Sequence, residues 1–188
     1  MPATAPSPVV SVSPVVLSAP ERGVDLPVRV SAPATGDRLP VLLFAHGYGW
    51  SLDGYAPLVD HWAASGFVVL QTTHLDSRRL GLTQDDARYD DIWRFRIADL
   101  RRMLDELDVL EAAVPGLAGR VDRDRVAVAG HSFGGQTAGS LLGARVVGPT
   151  APPARTSPIR GSGRASCSRP RAPAATTFRR SRRSTSRS

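Results

Sequence analysis

Apolar residues along this chain fall into short runs that alternate between two periods. Val9 to Leu17 and residues 24–31 are rich in Val with polar residues interleaved, and the polar turn 18–23 joins them, which predicts two early strands. Residues 39–45, Leu-Pro-Val-Leu-Leu-Phe-Ala, form a near-continuous apolar run of the length of a fully buried strand. Residues 51–65 then change to helical spacing and stop at Gly66, and residues 67–72 return to a strand pattern. Farther on, Phe95, Leu100, Met103, Leu104, Leu107, Leu110 and Val114 recur at helical spacing, in a long helix that Asp90 or Asp91 caps and that ends near Pro115 and Gly116. This helix reads as a packing element. Strands alternating with helices predict a largely parallel sheet covered on both faces.

The last apolar run, Val126-Ala127-Val128-Ala129, breaks into Gly130-His131-Ser132-Phe133-Gly134-Gly135 and continues into helix-forming residues. A Gly-x-Ser-x-Gly step between a strand and a helix is the pattern of a nucleophile elbow, whose small residues let the two backbones approach and project the serine hydroxyl. The helix beginning at Phe133 aims its first amides at the same place. A glycine-rich turn whose serine merely caps the helix is the alternative. Upstream, the strand at 39–45 runs into His46-Gly47-Tyr48-Gly49. Acyl transfer requires two donors aimed at a developing oxyanion, and the amides of Tyr48 and Phe133 are the candidates. An ordinary glycine turn after a central strand competes with that reading.

The two motifs, in this order and about 85 residues apart, resemble the α/β-hydrolase superfamily. They are most similar to its chlorophyllase, platelet-activating-factor acetylhydrolase and cutinase-like polyester hydrolase branch, over roughly residues 9–147. The resemblance implies an α/β-hydrolase fold, a mostly parallel sheet with helices on both faces, incomplete here after the elbow helix. It also implies hydrolysis of a small-molecule or lipid-like carboxylic ester by Ser132, without metal or organic cofactor; which ester is not implied. Residues 73–92 include a polar connection long enough to overhang the site. His74, Asp76 and Trp93 are therefore possible substrate contacts, although solvated structural roles are the favoured reading.

Composition divides the chain at about residue 148. All 24 basic residues are arginine, and the 17 acids lie at or before Asp124, so residues 1–148 carry 14 Arg and residues 149–188 carry 10 Arg with no acid. The second segment is Arg, Ser, Pro, Ala, Thr and Gly with few larger apolar residues, a composition expected to stay disordered. In this family the acid and histidine of the catalytic triad follow the serine. After Ser132 this chain has no Asp, Glu or His, and its four histidines, His46, His61, His74 and His131, all precede it. None is a convincing general base, so negligible activity is expected. A chain without lysine is what GC-rich DNA encodes, and Thr156 to Ser188, back-translated with GC-rich codons and read in another frame, permits a strand-like AGVLLAAP run. Residues from near Gly148 are accordingly read as a frameshifted remnant of a longer hydrolase. The alternative is a genuine basic extension on a non-catalytic scaffold that binds nucleic acid or an acidic partner. A sheet ending at the elbow strand leaves an unpaired edge and predicts a marginal, aggregation-prone chain.

The remaining expectations are bounds. At 188 residues the chain is one domain plus a tail. Cys167 stands alone, which gives no disulfide framework. No metal-ligand spacing, signal peptide or membrane span is visible, so cytoplasmic residence is the default, and the sequence leaves the oligomeric state open.

Overall fold

The computed structural model describes residues 7–144 and 176–178. Six strands, β1 (Val9–Leu17), β2 (Leu26–Pro33), β3 (Leu39–Ala45), β4 (Val68–Thr72), β5 (Val121–Gly130) and β6 (Thr176–Phe178), form one sheet in the order β1-β2-β4-β3-β5-β6. The central strands β4, β3 and β5 are parallel, while β1–β2, β2–β4 and β5–β6 pair antiparallel. Helices α1 (Ala56–Ala64), α2 (Ile92–Asp105), α3 (Leu107–Ala112) and α4 (Phe133–Leu141), with short 3-10 turns at Pro20–Arg22 and Tyr89–Asp91, complete the described elements.

The period-2 alternation of strand side chains explains why β3 is apolar throughout. Val41, Leu43 and Ala45 join the larger core with Leu100, Met103, Leu110 and Ala138, whereas Leu42 and Phe44 join a second core with Val59 and Ala63 of α1. Neighbouring strands divide in the same way: Val68, Leu70, Val126 and Val128 face the first core, Val69 and Ala127 the second. A strand buried on both faces places its C-terminal loop at the middle of the sheet's end.

Several boundaries differ from expectation for local reasons. The helix expected over 51–65 starts only at Ala56, because Tyr55 adopts a left-handed conformation (φ 68°) and residues 51–54 form a turn closed by Gly54 N–H to Ser51 O, 3.1 Å. The long helix breaks at Glu106 (φ −99°, ψ 24°) into α2 and α3. The elbow strand begins five residues earlier than its apolar run: Leu39 and Pro40 pair with Val121 and Asp122, and a register shift follows before Val41 meets Val126. Residues 123–125 in that irregularity are exposed, which is why their Arg-Asp-Arg sequence concealed the strand.

The expected open edge of β5 is not open along Val126–Val128, where β6 pairs with it. Thr176–Phe178 thereby carries backbone structure within a segment whose composition predicted none. The readings of the rest of residues 149–188, as a disordered, frameshifted or nucleic-acid-binding tail, lie outside the described residues.

The strand–helix junction rests on two glycines. A Cβ at Gly130 would lie 2.2 Å from the Gly134 carbonyl atoms, and one at Gly134 would lie 2.0 Å from Ala45 O and 2.7 Å from His46 O. A Cβ at Gly135 would meet only Gly130 O, at 3.5 Å. Gly134→Ala should therefore unseat α4 from β3 and lower stability by several kcal/mol, while Gly135→Ala should be neutral or gain up to about 1 kcal/mol from helix propensity. Urea unfolding of the two variants compares them directly; equal stabilities would contradict this close packing.

Candidate active site

At the junction of β5 and α4, Ser132 has φ 52° and ψ −119°, a conformation that L side chains rarely adopt. Such a residue stores about 1–3 kcal/mol of strain that its surroundings must maintain. They do so by hydrogen bonds on both sides: His131 N–H donates to Ala45 O (3.2 Å), Gly134 N–H to His131 O (2.8 Å) and Gly135 N–H to Ser132 O (2.8 Å). Ser132 itself is exposed.

The loop after β3 is held as tightly. Gly47 N–H donates to the Tyr55 hydroxyl (3.3 Å), Gly49 N–H to Asp76 Oδ2 (3.1 Å), and Trp50 N–H to Gly47 O (3.1 Å). The Tyr55 hydroxyl also bonds His131 Nδ1 at 2.8 Å, so a single phenol joins this loop to the elbow and turns the His131 ring toward α1. Among the described residues, the amides of Tyr48 and Phe133 have no hydrogen-bond partner, although the neighbouring amides of Gly47, Gly49 and Gly134 do. The side chains of Tyr48 and Phe133 approach each other, with ring centroids 6.3 Å apart.

Arg96, fully buried on α2, ties these parts together. It donates from Nη1 to Asp76 Oδ1 (2.5 Å), from Nη2 to His46 O, and from Nε to Thr137 Oγ1 (3.0 Å), and its guanidinium lies 4.7 Å from the Phe133 ring centroid. The Arg96–Asp76 pair thus touches the loop after β3 through His46 O and Gly49 N–H and the elbow helix through Thr137 and Phe133. Burial pulls the Arg96 guanidinium below its ordinary range, and the Asp76 carboxylate opposes that shift.

A second buried group adjoins it. His46 Nε2 accepts from His74 N–H (3.0 Å), so Nδ1 carries the ring proton and donates to Gly47 O at 2.7 Å. His74 Nδ1 meets Asp99 Oδ2 at 2.8 Å, and Asp99 Oδ1 pairs with Arg22 Nε at 3.2 Å. Desolvation lowers His46 to about 4 and His74 well below its usual value, and raises Asp99 to about 7 against the pull of Arg22 and Arg96.

The structure therefore separates the three possible substrate contacts. His74 and Asp76 are buried in these networks, neither solvated nor facing a substrate, whereas Trp93 lines a pocket of about 460 Å3 together with Tyr48, Tyr89, Ile92 and Phe133. Arg96, Asp99, Tyr55 and Tyr89 were missed from sequence. For the first two a signal existed: they are charged residues on the same helical face as Ile92, Leu100 and Met103. No histidine is hydrogen-bonded to Ser132 among the described residues, since His46, His74 and His131 direct ring nitrogens to Gly47, Asp99 and Tyr55. Among the described residues no group of three or more His, Cys, Asp or Glu is placed to hold a metal ion, and no helix is long and apolar enough to cross a membrane.

Comparison with known proteins identifies the family and the fold. The chlorophyllase family model matches residues 8–146, and the chain belongs to that family. Among solved structures, a ferulic acid esterase from Streptomyces cinnamoneus is similar at TM-score 0.53 and 22% identity, over 76% of this chain and 57% of that one. Brefeldin A esterase, a bacterial homologue of human hormone sensitive lipase, is similar at TM-score 0.53 and 20% identity, over 74% and 36%. An esterase from Pyrobaculum calidifontis has TM-score 0.49 and 22% identity, over 73% of this chain and 39% of that one. The two likenesses at TM-score 0.53 show the α/β-hydrolase fold, and the chain spans less than two thirds of the length of each of the three. No curated protein matches the chain.

Two outcomes follow for the buried networks. Arg96→Leu strands the Asp76 carboxylate in the interior and should cost about 3–5 kcal/mol in urea unfolding, and Arg96→Lys should recover little of it because an ammonium cannot reach three acceptors as the guanidinium fork does. For pH, His46 is held neutral in the fold to about pH 4 but takes up a proton near 6.5 when unfolded. Its contribution to stability is complete above 6.5 and is lost as pH falls toward 4. The His74–Asp99 pair adds little slope in that window, because it holds one proton between its two members when folded and His74 holds one when unfolded. Stability should then decline by about 1.4 kcal/mol per pH unit between 6.5 and 4.5. A flat profile by urea unfolding would mean that His46 ionises freely in the fold.

Proposed function

We propose that this chain carries the nucleophile and oxyanion-binding part of a serine carboxylic ester hydrolase, with Ser132 as nucleophile and the Tyr48 and Phe133 amides as oxyanion donors. The observation that supports it is the placement of two unpartnered amides, one on the loop after β3 and one directly after an exposed, strained serine at a strand-to-helix turn. Donors left free beside a nucleophile are what a tetrahedral intermediate requires. Helix α4 adds the positive end of its dipole.

Attack by Ser132 Oγ on an ester carbonyl forms a C–O bond and moves the carbonyl π pair onto oxygen, to which the two amide N–H groups donate hydrogen bonds. The serine proton must leave for a base, and this sequence offers no Asp, Glu or His after Ser132. Without an imidazole at its side the hydroxyl stays protonated, and turnover by this chain alone is negligible. The substrate is a neutral small-molecule or lipid-like ester.

A fluorophosphonate reacts with an accessible nucleophilic serine without requiring a second turnover. Incubated with the full chain, it should label Ser132 slowly and with one adduct per chain by mass spectrometry, and Ser132→Ala should abolish the adduct. Steady-state hydrolysis of an activated ester should fall on the order of 10^4-fold or more below that of a complete triad. Labelling that survives Ser132→Ala, or rapid turnover, would overturn the assignment.

A further inference from the structure

We propose that the pocket beside Tyr48 and Phe133 binds an aromatic ring carried by the acyl or alcohol portion of a neutral ester, an inference that rests on the ester chemistry proposed at Ser132. The pocket, about 460 Å3, is within the range of small-molecule sites and has room for a one- or two-ring group. Its position follows from the chain: Tyr48 and Phe133 supply both the unpartnered amides and part of its wall. A carbonyl oxygen received by those amides therefore directs one of its substituents into this space.

Four of the lining residues, Tyr48, Tyr89, Trp93 and Phe133, are aromatic, with the buried Ile92 completing the apolar surface. Three of the polar groups on the lining already bond one another or the backbone, while Gln136, Ser140 and Asp90 stand on its polar side. The Tyr48 and Tyr89 hydroxyls bond each other at 2.8 Å, and the Thr137 hydroxyl donates to Phe133 O (3.0 Å) and accepts from Arg96 (3.0 Å). The phenols thus offer ring surface more than hydrogen bonds. The Arg96 guanidinium already interacts with the Phe133 ring and is itself paired with Asp76, so it supplies no free charge.

Charge selects further. Asp90 is exposed on the pocket's lining, and no arginine contributes to that lining. An anionic ligand meets an uncompensated carboxylate there. A flat, uncharged ring meets four aromatic partners able to stack edge-to-face or offset, an interaction unavailable to a saturated chain of equal carbon number.

The test uses the full 188-residue chain and three non-hydrolysable ketones: acetophenone, 2-octanone with the same number of carbons, and 4-acetylbenzoate, followed by ligand-observed NMR titration. Acetophenone should bind about tenfold more tightly than 2-octanone and at least as much more tightly than 4-acetylbenzoate. Trp93→Leu and Tyr89→Leu each remove a ring while keeping apolar bulk. Each should weaken acetophenone severalfold while leaving 2-octanone nearly unchanged, with melting by circular dichroism verifying the fold. Should Trp93→Leu fail to fold, Tyr89→Leu carries the same comparison. Equal binding of acetophenone and 2-octanone, tight binding of 4-acetylbenzoate, or an acetophenone affinity indifferent to the folded variants would overturn the proposal. Acetophenone selectivity without fluorophosphonate labelling of Ser132 keeps the aromatic pocket and discards the ester chemistry, and labelling without selectivity does the reverse.

Discussion

The buried ion pair between Arg96 and Asp76 is the constraint on which the site depends. Two charges removed from water need further hydrogen bonds to be tolerated, and here these come from groups of the site itself: His46 O, Gly49 N–H and Thr137 Oγ1. The cost of burying a charge is thereby converted into geometry. The loop after β3 and the start of α4 are far apart in sequence, and the guanidinium fixes their separation more directly than any apolar contact would.

Around that pair the second network of Arg22, Asp99, His74 and His46 extends the polar core toward β2. Nearly all of its hydrogen-bonding capacity is used, with His74 Nε2 and Arg22 Nε as exceptions among the described residues. Polar interiors of this kind add specificity to an apolar core that alone would tolerate many packings. They also join the loop after β3 to the helix that follows Ser132.

Much of the fold was legible because binary patterning is unambiguous where burial is complete. Leu39 to Ala45 cannot be anything but a central strand once Gly66 and Gly130 punctuate the chain around it, and β1 and β3 have the bounds their apolar runs predicted. The elbow was legible because its two glycines are sterically required. What escaped was of another kind. Arg96 and Asp99 look like solvent-facing charges of an amphipathic helix until their phase is compared with Ile92 and Met103, and Tyr55 acts through a hydroxyl that periodicity does not register. The early start of β5 was hidden by the exposed irregularity at residues 123–125, whose charges mimic a loop.

The contact of Gly130 with Gly134, and of Gly134 with Ala45, leaves three peptide units stacked with no side chain between them. There is little room to yield at that point, so the unfavourable backbone of Ser132 is maintained by the seam between β3 and β5 together with the hydrogen bonds of its immediate neighbours. The seam behaves as a clamp, and a clamp releases before the parts it holds come apart. On warming, a slight parting of these two strands should let Ser132 relax to an ordinary conformation while the sheet is still intact, so that the serine gives way before the secondary structure does.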